Sequence, residues 1–212
     1  MSAAEFLPER VTLPGLRRAA EGCRGCPLHE DATQTVFGEG KVGARVVLVG
    51  EQPGDEEDRT GRPFVGPAGR LLDELLDRAG IDRAETYVTN AVKHFKWTPR
   101  GKRRIHAKPS NGEIAACRPW LESELHLVKP EALVVLGASA ARSLLGPAFR
   151  VTRSRGEIFE SPWAPITLAT LHPSALLRIT EEDERQAARL EVARELALVA
   201  AAISRLAARA RR

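Results

Sequence analysis

Four short apolar runs, each separated from the next by a segment of helical periodicity, restrict the fold of this 212-residue chain more than any other feature. They are Arg45 to Gly50, Thr86 to Val92, Ala132 to Gly137 and Ile166 to Leu171. The runs are rich in β-branched residues and largely continuous, the pattern of strands covered on both faces. Between them, Leu71 to Ala79 carries apolar residues at helical spacing and stops at Gly80. Ser110-Asn111-Gly112-Glu113 is a capping box opening a helix to about His126, and Ala138 to Leu145 reads as a short helix. Strand alternating with helix predicts a three-layer α/β/α sandwich around a central, mainly parallel four-stranded sheet. Val192, Leu196, Val199, Ile203 and Leu206 form one stripe of a long C-terminal helix at about 182–209, expected to pack on the same domain. The length fits one domain over 1–212 with a core large enough to need no staples.

No charged segment leading into an apolar one opens the chain, and the longest apolar run, Leu196 to Ile203, is too short to span a bilayer. The expectation is a cytoplasmic, monomeric protein without a membrane partner, in which cysteines serve as ligands or buried apolar residues.

The net charge of +4 is modest, so any nucleic-acid surface must be local. One stretch meets that condition: Lys93 to Lys108 holds seven Lys or Arg and no acid, with Phe95 and Trp97 interleaved. Charge to track phosphates plus rings to stack on bases is what single-stranded nucleic acid requires. Its centre, Lys102-Arg103-Arg104-Ile105-His106, is expected as an inserted basic loop at about 97–110. That loop is either a solvated phosphate contact or something more reactive.

In open parallel sheets ligands bind beyond the carboxyl ends of the strands. The polar residues there are Glu51, Gln52 and Asp55 after the first strand, Asn90 after the second, and His172 and Ser174 after the fourth. Phe64 joins them from Gly61-Arg62-Pro63-Phe64-Val65-Gly66. A nucleotide-phosphate loop is excluded at Gly50 to Gly54. No Gly-Lys-Ser/Thr follows, and five acids between Glu51 and Asp58 would repel a phosphate.

Gly50-Glu51-Gln52-Pro53-Gly54, Thr60 to Gly66, Thr89-Asn90-Ala91-Val92-Lys93 and Leu171-His172-Pro173-Ser174 closely resemble the uracil-DNA glycosylase superfamily, within it the family 4 iron-sulfur type. Lys102 to His106 further resembles the UdgX group, whose members bond covalently to the DNA they have cleared of uracil. The resemblance covers about Cys23 to Leu177. It implies an enzyme that flips uracil out of DNA, single strands preferred, and cuts the N-glycosyl bond.

Under that resemblance Phe64 stacks on uracil, unless it is simply a core aromatic. Asn90 reads the O4 and N3–H edge by donating and accepting at once. His172 donates toward the O2 oxygen as negative charge develops on the base, or merely caps the strand end. Gln52 and Asp55 belong to the uracil-binding loop. Lys102, Arg103, Arg104 and Ser174 contact DNA, with Ser174 alternatively capping the next helix. Glu51 positions water in a hydrolytic glycosylase. With the basic loop folded over the pocket, His106 instead attacks C1′ of the sugar while Glu51 accepts a proton.

Cys23 and Cys26 form a CxxC pair and Cys117 lies far downstream, giving three soft ligands. The fourth is His94, standing where family 4 proteins carry cysteine. The resemblance implies a structural [4Fe-4S] cluster; a Cys3His zinc site suits the same residues. Two other readings stay open: a conventional glycosylase that releases its product, and a non-catalytic DNA-binding protein.

Overall fold

A computed structural model describes residues 1–210; Arg211 and Arg212, the end of the expected domain, lie outside the described residues. In chain order the elements are α1 (Leu13–Glu21), α2 (Leu28–Asp31), β1 (Val46–Gly50), α3 (Asp55–Thr60), α4 (Pro67–Arg78), β2 (Thr86–Asn90), β3 (Trp97–Arg100) and β4 (Arg103–His106). There follow α5 (Asn111–Val128), β5 (Ala132–Leu136), α6 (Gly137–Leu145), α7 (Val151–Ser154), β6 (Ile158–Ser161), β7 (Ala164–Thr170), α8 (Pro173–Leu176) and α9 (Glu182–Ala210).

The four expected strands pair in parallel, in the order β2-β1-β5-β7, and β6 adds a fifth, antiparallel edge. The sequence reading missed β6 because it is a half-exposed edge strand joined to β7 by a tight turn, without the apolar run of its neighbours. Two layers cover the sheet. Leu72, Leu75 and Leu76 of α4 and Val192, Leu196 and Val199 of α9 close one face over Leu48, Val88 and Val134. Leu121 and Leu125 of α5 and Ala140, Ala141 and Leu144 of α6 close the other over Val47, Val49 and Val135. The C-terminal stripe thus packs on the domain as far as Ile203, whereas Leu206, expected to join it, is 36% exposed. No helix among the described residues is long and apolar enough to cross a membrane.

The expected basic loop is a two-stranded antiparallel hairpin, in which Trp97 faces His106 and Arg100 faces Arg103. Gly101, at φ +60°, sits first in its two-residue turn, the position of a II′ turn that glycine fills without strain.

Beneath β2 and α5 lies a fully buried ion pair, Lys93 Nζ to Glu124 Oε2 at 2.5 Å. The carboxylate also accepts from the Tyr87 hydroxyl (2.8 Å), Thr89 Oγ1 (3.0 Å) and the Gly38 amide (3.0 Å). The ammonium donates as well to Thr89 Oγ1 and to the Asn90 carbonyl (2.8 Å). A buried charge is tolerable only with its partners in place. Glu124→Ala is therefore expected to lower the unfolding free energy by about 3–5 kcal/mol, read as a reduced urea midpoint at unchanged slope.

Candidate active site

A cavity of about 390 Å³ opens at the carboxyl ends of β1, β2 and β7, walled by Gln52, Asp55, Phe64, Asn90, His106 and His172, with Ser174 and Leu177 at its rim. This is where the sheet topology puts it: β1 leads to β2 on one side and the chain later returns through β5 on the other, leaving a crevice at the switch. Gly50, the last residue of β1, lies next to three of the walling side chains. A methyl group there would come within 2.4 Å of Asn90 Oδ1, 2.7 Å of Phe64 Cζ and 3.2 Å of His172 Nε2. Three side chains that the sequence placed at one rim thus meet around one missing Cβ. Gly50 itself was read only as part of a motif.

Phe64 fits both readings made of it. It is 7% exposed and packs with the core, yet lies against the cavity with its ring stacked beside His172, centroids 6.0 Å apart. Its φ of +57° is uncommon for a residue with Cβ and costs about 1–3 kcal/mol, which the surroundings must impose. Glu57, missed in the sequence, supplies part of that constraint. It accepts from the amides of Gly54 (3.0 Å) and Gly66 (2.8 Å), tying the two glycine-bearing loops together.

His172 is the N-cap of α8: its Nδ1 accepts from the Ser174 amide at 3.2 Å. The acceptor role leaves the proton on Nε2, the atom facing Gly50. Capping and donation are therefore compatible, because each uses a different nitrogen. Burial, followed by the charges of His106 and Arg178, pushes its pKa down to about 4, so the ring is a neutral donor near pH 7. Ser174 does not cap the helix, since that place is taken by His172; its hydroxyl lies 2.9 Å from the same Nδ1.

The hairpin is held against the cavity at two points. The Gln52 amide donates to the carbonyls of Lys96 and Ala107 (both 3.1 Å) and accepts from the Lys96 amide (3.2 Å), closing the hairpin base. Its side-chain polar atoms are thus committed to backbone, while the residue itself lines the cavity, as expected of the loop that carries it. The second point is Arg104. Expected on DNA, it turns inward, its side chain 16% exposed, to pair with Asp55 (2.5 Å) and fully buried Asp58 (2.6 Å). Its guanidinium also lies 5.4 Å from the Phe95 ring centre and 5.6 Å from that of Trp97. A buried carboxylate demands a cation, and Arg104 is within reach. Asp55, also bound to Arg59, anchors the hairpin from the cavity wall. Lys102 and Arg103 stand exposed at the tip, where a phosphate could meet them.

These contacts leave His106 at the mouth, half-exposed, its Nε2 3.5 Å from Glu51 Oε1. Burial lowers its pKa, Glu51 works against that, and Arg178 adds to it; the net shift is downward, toward neutral imidazole.

Cys23, Cys26 and Cys117 are buried in one cluster with Trp120, none in a disulfide. Trp120 Nε1–H donates to Cys23 Sγ (3.3 Å) and the Lys93 amide to Cys117 Sγ (3.2 Å), contacts that stabilise thiolate more than thiol. Burial raises the Cys26 pKa and pushes that of Cys117 up to about 12, so the thiolates require a cationic partner. His94 is neutral, its pKa lowered by burial, and then by His29, to about 4. Thr35 Oγ1 donates to the Ala20 carbonyl (2.7 Å) and so accepts from His94 Nε2 (3.0 Å), leaving the Nδ1 lone pair for a ligand. The soft donor set fits an electrophilic metal group. Among the described residues, however, no three His, Cys, Asp or Glu side chains converge to hold a single ion.

Arg104→Ala should free the hairpin by stranding Asp58. Stability should fall by about 3 kcal/mol, and amide hydrogen exchange over 97–106 is expected to quicken by more than exchange in β1 and β5, which follows the global loss alone.

Residues 37–197 match the model of the Uracil DNA glycosylase superfamily. A type-4 uracil-DNA glycosylase of Thermotoga maritima is 41% identical over 77% of this chain and 82% of its own length. One from Pyrobaculum aerophilum is 35% identical over 79% and 86%. A type-5 uracil-DNA glycosylase from the same archaeon is 31% identical over 65% of this chain and 64% of its own. The match spans β1, β2, β5 and β7 and every residue walling the cavity, and on that ground the chain belongs to the uracil-DNA glycosylase superfamily.

Proposed function

We propose that this protein excises uracil from DNA, single strands preferred, and traps itself on the abasic sugar through His106. The observation that carries the reading is the placement of His106, beside Glu51 and above the cavity walled by Asn90, Phe64 and His172. Asn90 is 3% exposed and its backbone carbonyl is fixed by Lys93, so its amide is pre-oriented for the edge of a flipped base. Phe64 offers that base a stacking face. As the N-glycosyl bond breaks, its electron pair moves onto uracil, and the His172 Nε2–H stabilises the charge on O2. A nitrogen of neutral His106 then bonds C1′, and Glu51 takes the proton from the nitrogen that does not attack. No water is consumed, and departure of the sugar would expel imidazolide, a poor leaving group. Lys102 and Arg103 at the hairpin tip meet phosphates.

The cysteines and His94 would hold a [4Fe-4S] cluster. Three buried thiols and a neutral imidazole with a free nitrogen are the ligand types such a cluster would take. Its contribution would be structural: His94 and Cys117 lie on either side of the hairpin in sequence, so bridging them limits its fraying.

Mixed with uracil-containing single-stranded DNA, the protein should give a species of retarded mobility that survives denaturing electrophoresis. His106→Ser should abolish that species, and its persistence would assign the bond to another nucleophile. Glu51→Gln should shorten adduct lifetime. Because burial lowers the His106 pKa, trapping should persist to lower pH than the titration of an ordinary imidazole would allow, its acid limb displaced below that of free histidine. Below the lowered pKa the rate should fall. Protein purified without oxygen should absorb broadly in the visible and contain iron; colourless protein with one equivalent of zinc would overturn the cluster assignment.

A further inference from the structure

A second cavity, of about 330 Å³, lies between the first turns of α5 and the second half of α6, with Asn111, Ile114, Arg118, Arg142, Ser143 and Pro147 in its wall. No carboxylate lines it. Ser143 is 5% exposed and its hydroxyl has no hydrogen-bond partner; Arg142 Nε is also buried and unpartnered. Leaving such groups unpaired costs about 1–3 kcal/mol each, so an acceptor entering the cavity gains what the folded chain forgoes. Arg118 Nε pairs with Glu122 at 2.6 Å, on an exposed stretch of α5, and the rest of its donor fork is left for other acceptors. Asn111 begins an 18-residue helix whose dipole adds positive potential at that end. Two guanidiniums, a hydroxyl and a helix start suit an anion with several acceptor oxygens, which is phosphate chemistry.

The position of the cavity narrows the source of that phosphate. α5 leads into β5, so its first turns, which wall the cleft, stand at the carboxyl edge of the sheet, the edge that carries the Asn90 and His172 cavity; α6 contributes from its second half, further from that edge. From His106 to Asn111 is five residues, at most about 18 Å of extended chain. At roughly 3.4 Å or more per nucleotide, a strand leaving the first cavity reaches α5 within about five nucleotides.

We propose that the α5–α6 cleft is a phosphate subsite that grips the DNA backbone on one side of the target nucleotide, an inference that rests on the DNA reading above. Binding of a uracil-free 15-nucleotide single strand, followed by fluorescence anisotropy across a salt series, tests it without requiring excision. The double variant Arg118→Gln/Arg142→Gln should bind about tenfold more weakly at 0.15 M salt, with a log-log salt slope shallower by about 1.4. The same variant should release uracil normally from a tetranucleotide too short to reach the cleft, which also verifies folding. Should the double variant not fold, Arg142→Lys and Ser143→Ala keep the test alive: each should weaken 15-mer binding about threefold, and wild-type affinity in both would overturn the proposal. Unchanged affinity and slope in a folded double variant would overturn it too. So would inorganic phosphate binding that the double variant abolishes while DNA binding is untouched, because the cleft would then serve a free phosphate. Failure of uracil release by the wild-type protein, with DNA binding and its arginine dependence intact, would reject the glycosylase reading and leave the subsite standing.

Discussion

The buried pair of Lys93 and Glu124 is the junction on which the rest of this molecule depends. Lys93 reaches the Asn90 carbonyl at the cavity floor, its own amide meets the Cys117 sulfur, and its carbonyl accepts from Val36, joining β2 to the N-terminal segment. Glu124 gathers Tyr87, Thr89 and the Gly38 amide around the same charge. In a low-dielectric interior a pair so fully partnered has few alternative arrangements, because displacing any member strands a charge. One constraint thereby ties together the Asn90 backbone, the cysteine cluster and the docking of α5 on the sheet.

On this rigid base the hairpin is an attached part, held by side chains from the first strand-to-helix loop and α3. The acids between Glu51 and Asp58 share the task. Glu57 closes the loop under Phe64, Asp55 and Asp58 receive Arg104, and Glu51 is left facing His106. Loop and hairpin are therefore complementary in charge, and the complementarity brings a histidine to the mouth of the cavity. The basic run divides accordingly: Arg104 works inward for structure, Lys102 and Arg103 face solvent, and His106 stands between.

Much of the architecture was legible in the sequence because burial on both faces leaves a continuous apolar signature. β1, β2, β5 and β7 carry it, and the capping box at Ser110 appears in the structure with both of its hydrogen bonds. The edge strand β6 does not carry it, since one side of that strand faces water. The hairpin was read as a loop because two four-residue strands dense in arginine have no buried face to reveal them. At the site, strand ends were enough to bring Phe64, Asn90 and His172 to one cavity with Glu51 nearby, whereas His106 was reached through the family resemblance. Sequence could not assign the partners of Gln52, Asp55 and Arg104. A carboxylate, an amide and a guanidinium look alike whether they meet ligand or backbone, and the choice depends on what lies within 3 Å.

By itself the sequence determined the parallel sheet, the edge of it where ligands gather and the chemical types available there, because periodicity and motif spacing are properties of the chain. Only the tertiary structure decided that Gln52 clamps a hairpin, that Arg104 answers a buried Asp58, that the His172 proton lies on Nε2, and that Arg142 and Ser143 share a cleft with no carboxylate in its wall. Each of these turns on which groups, distant in sequence, are left with or without a partner once water has been removed.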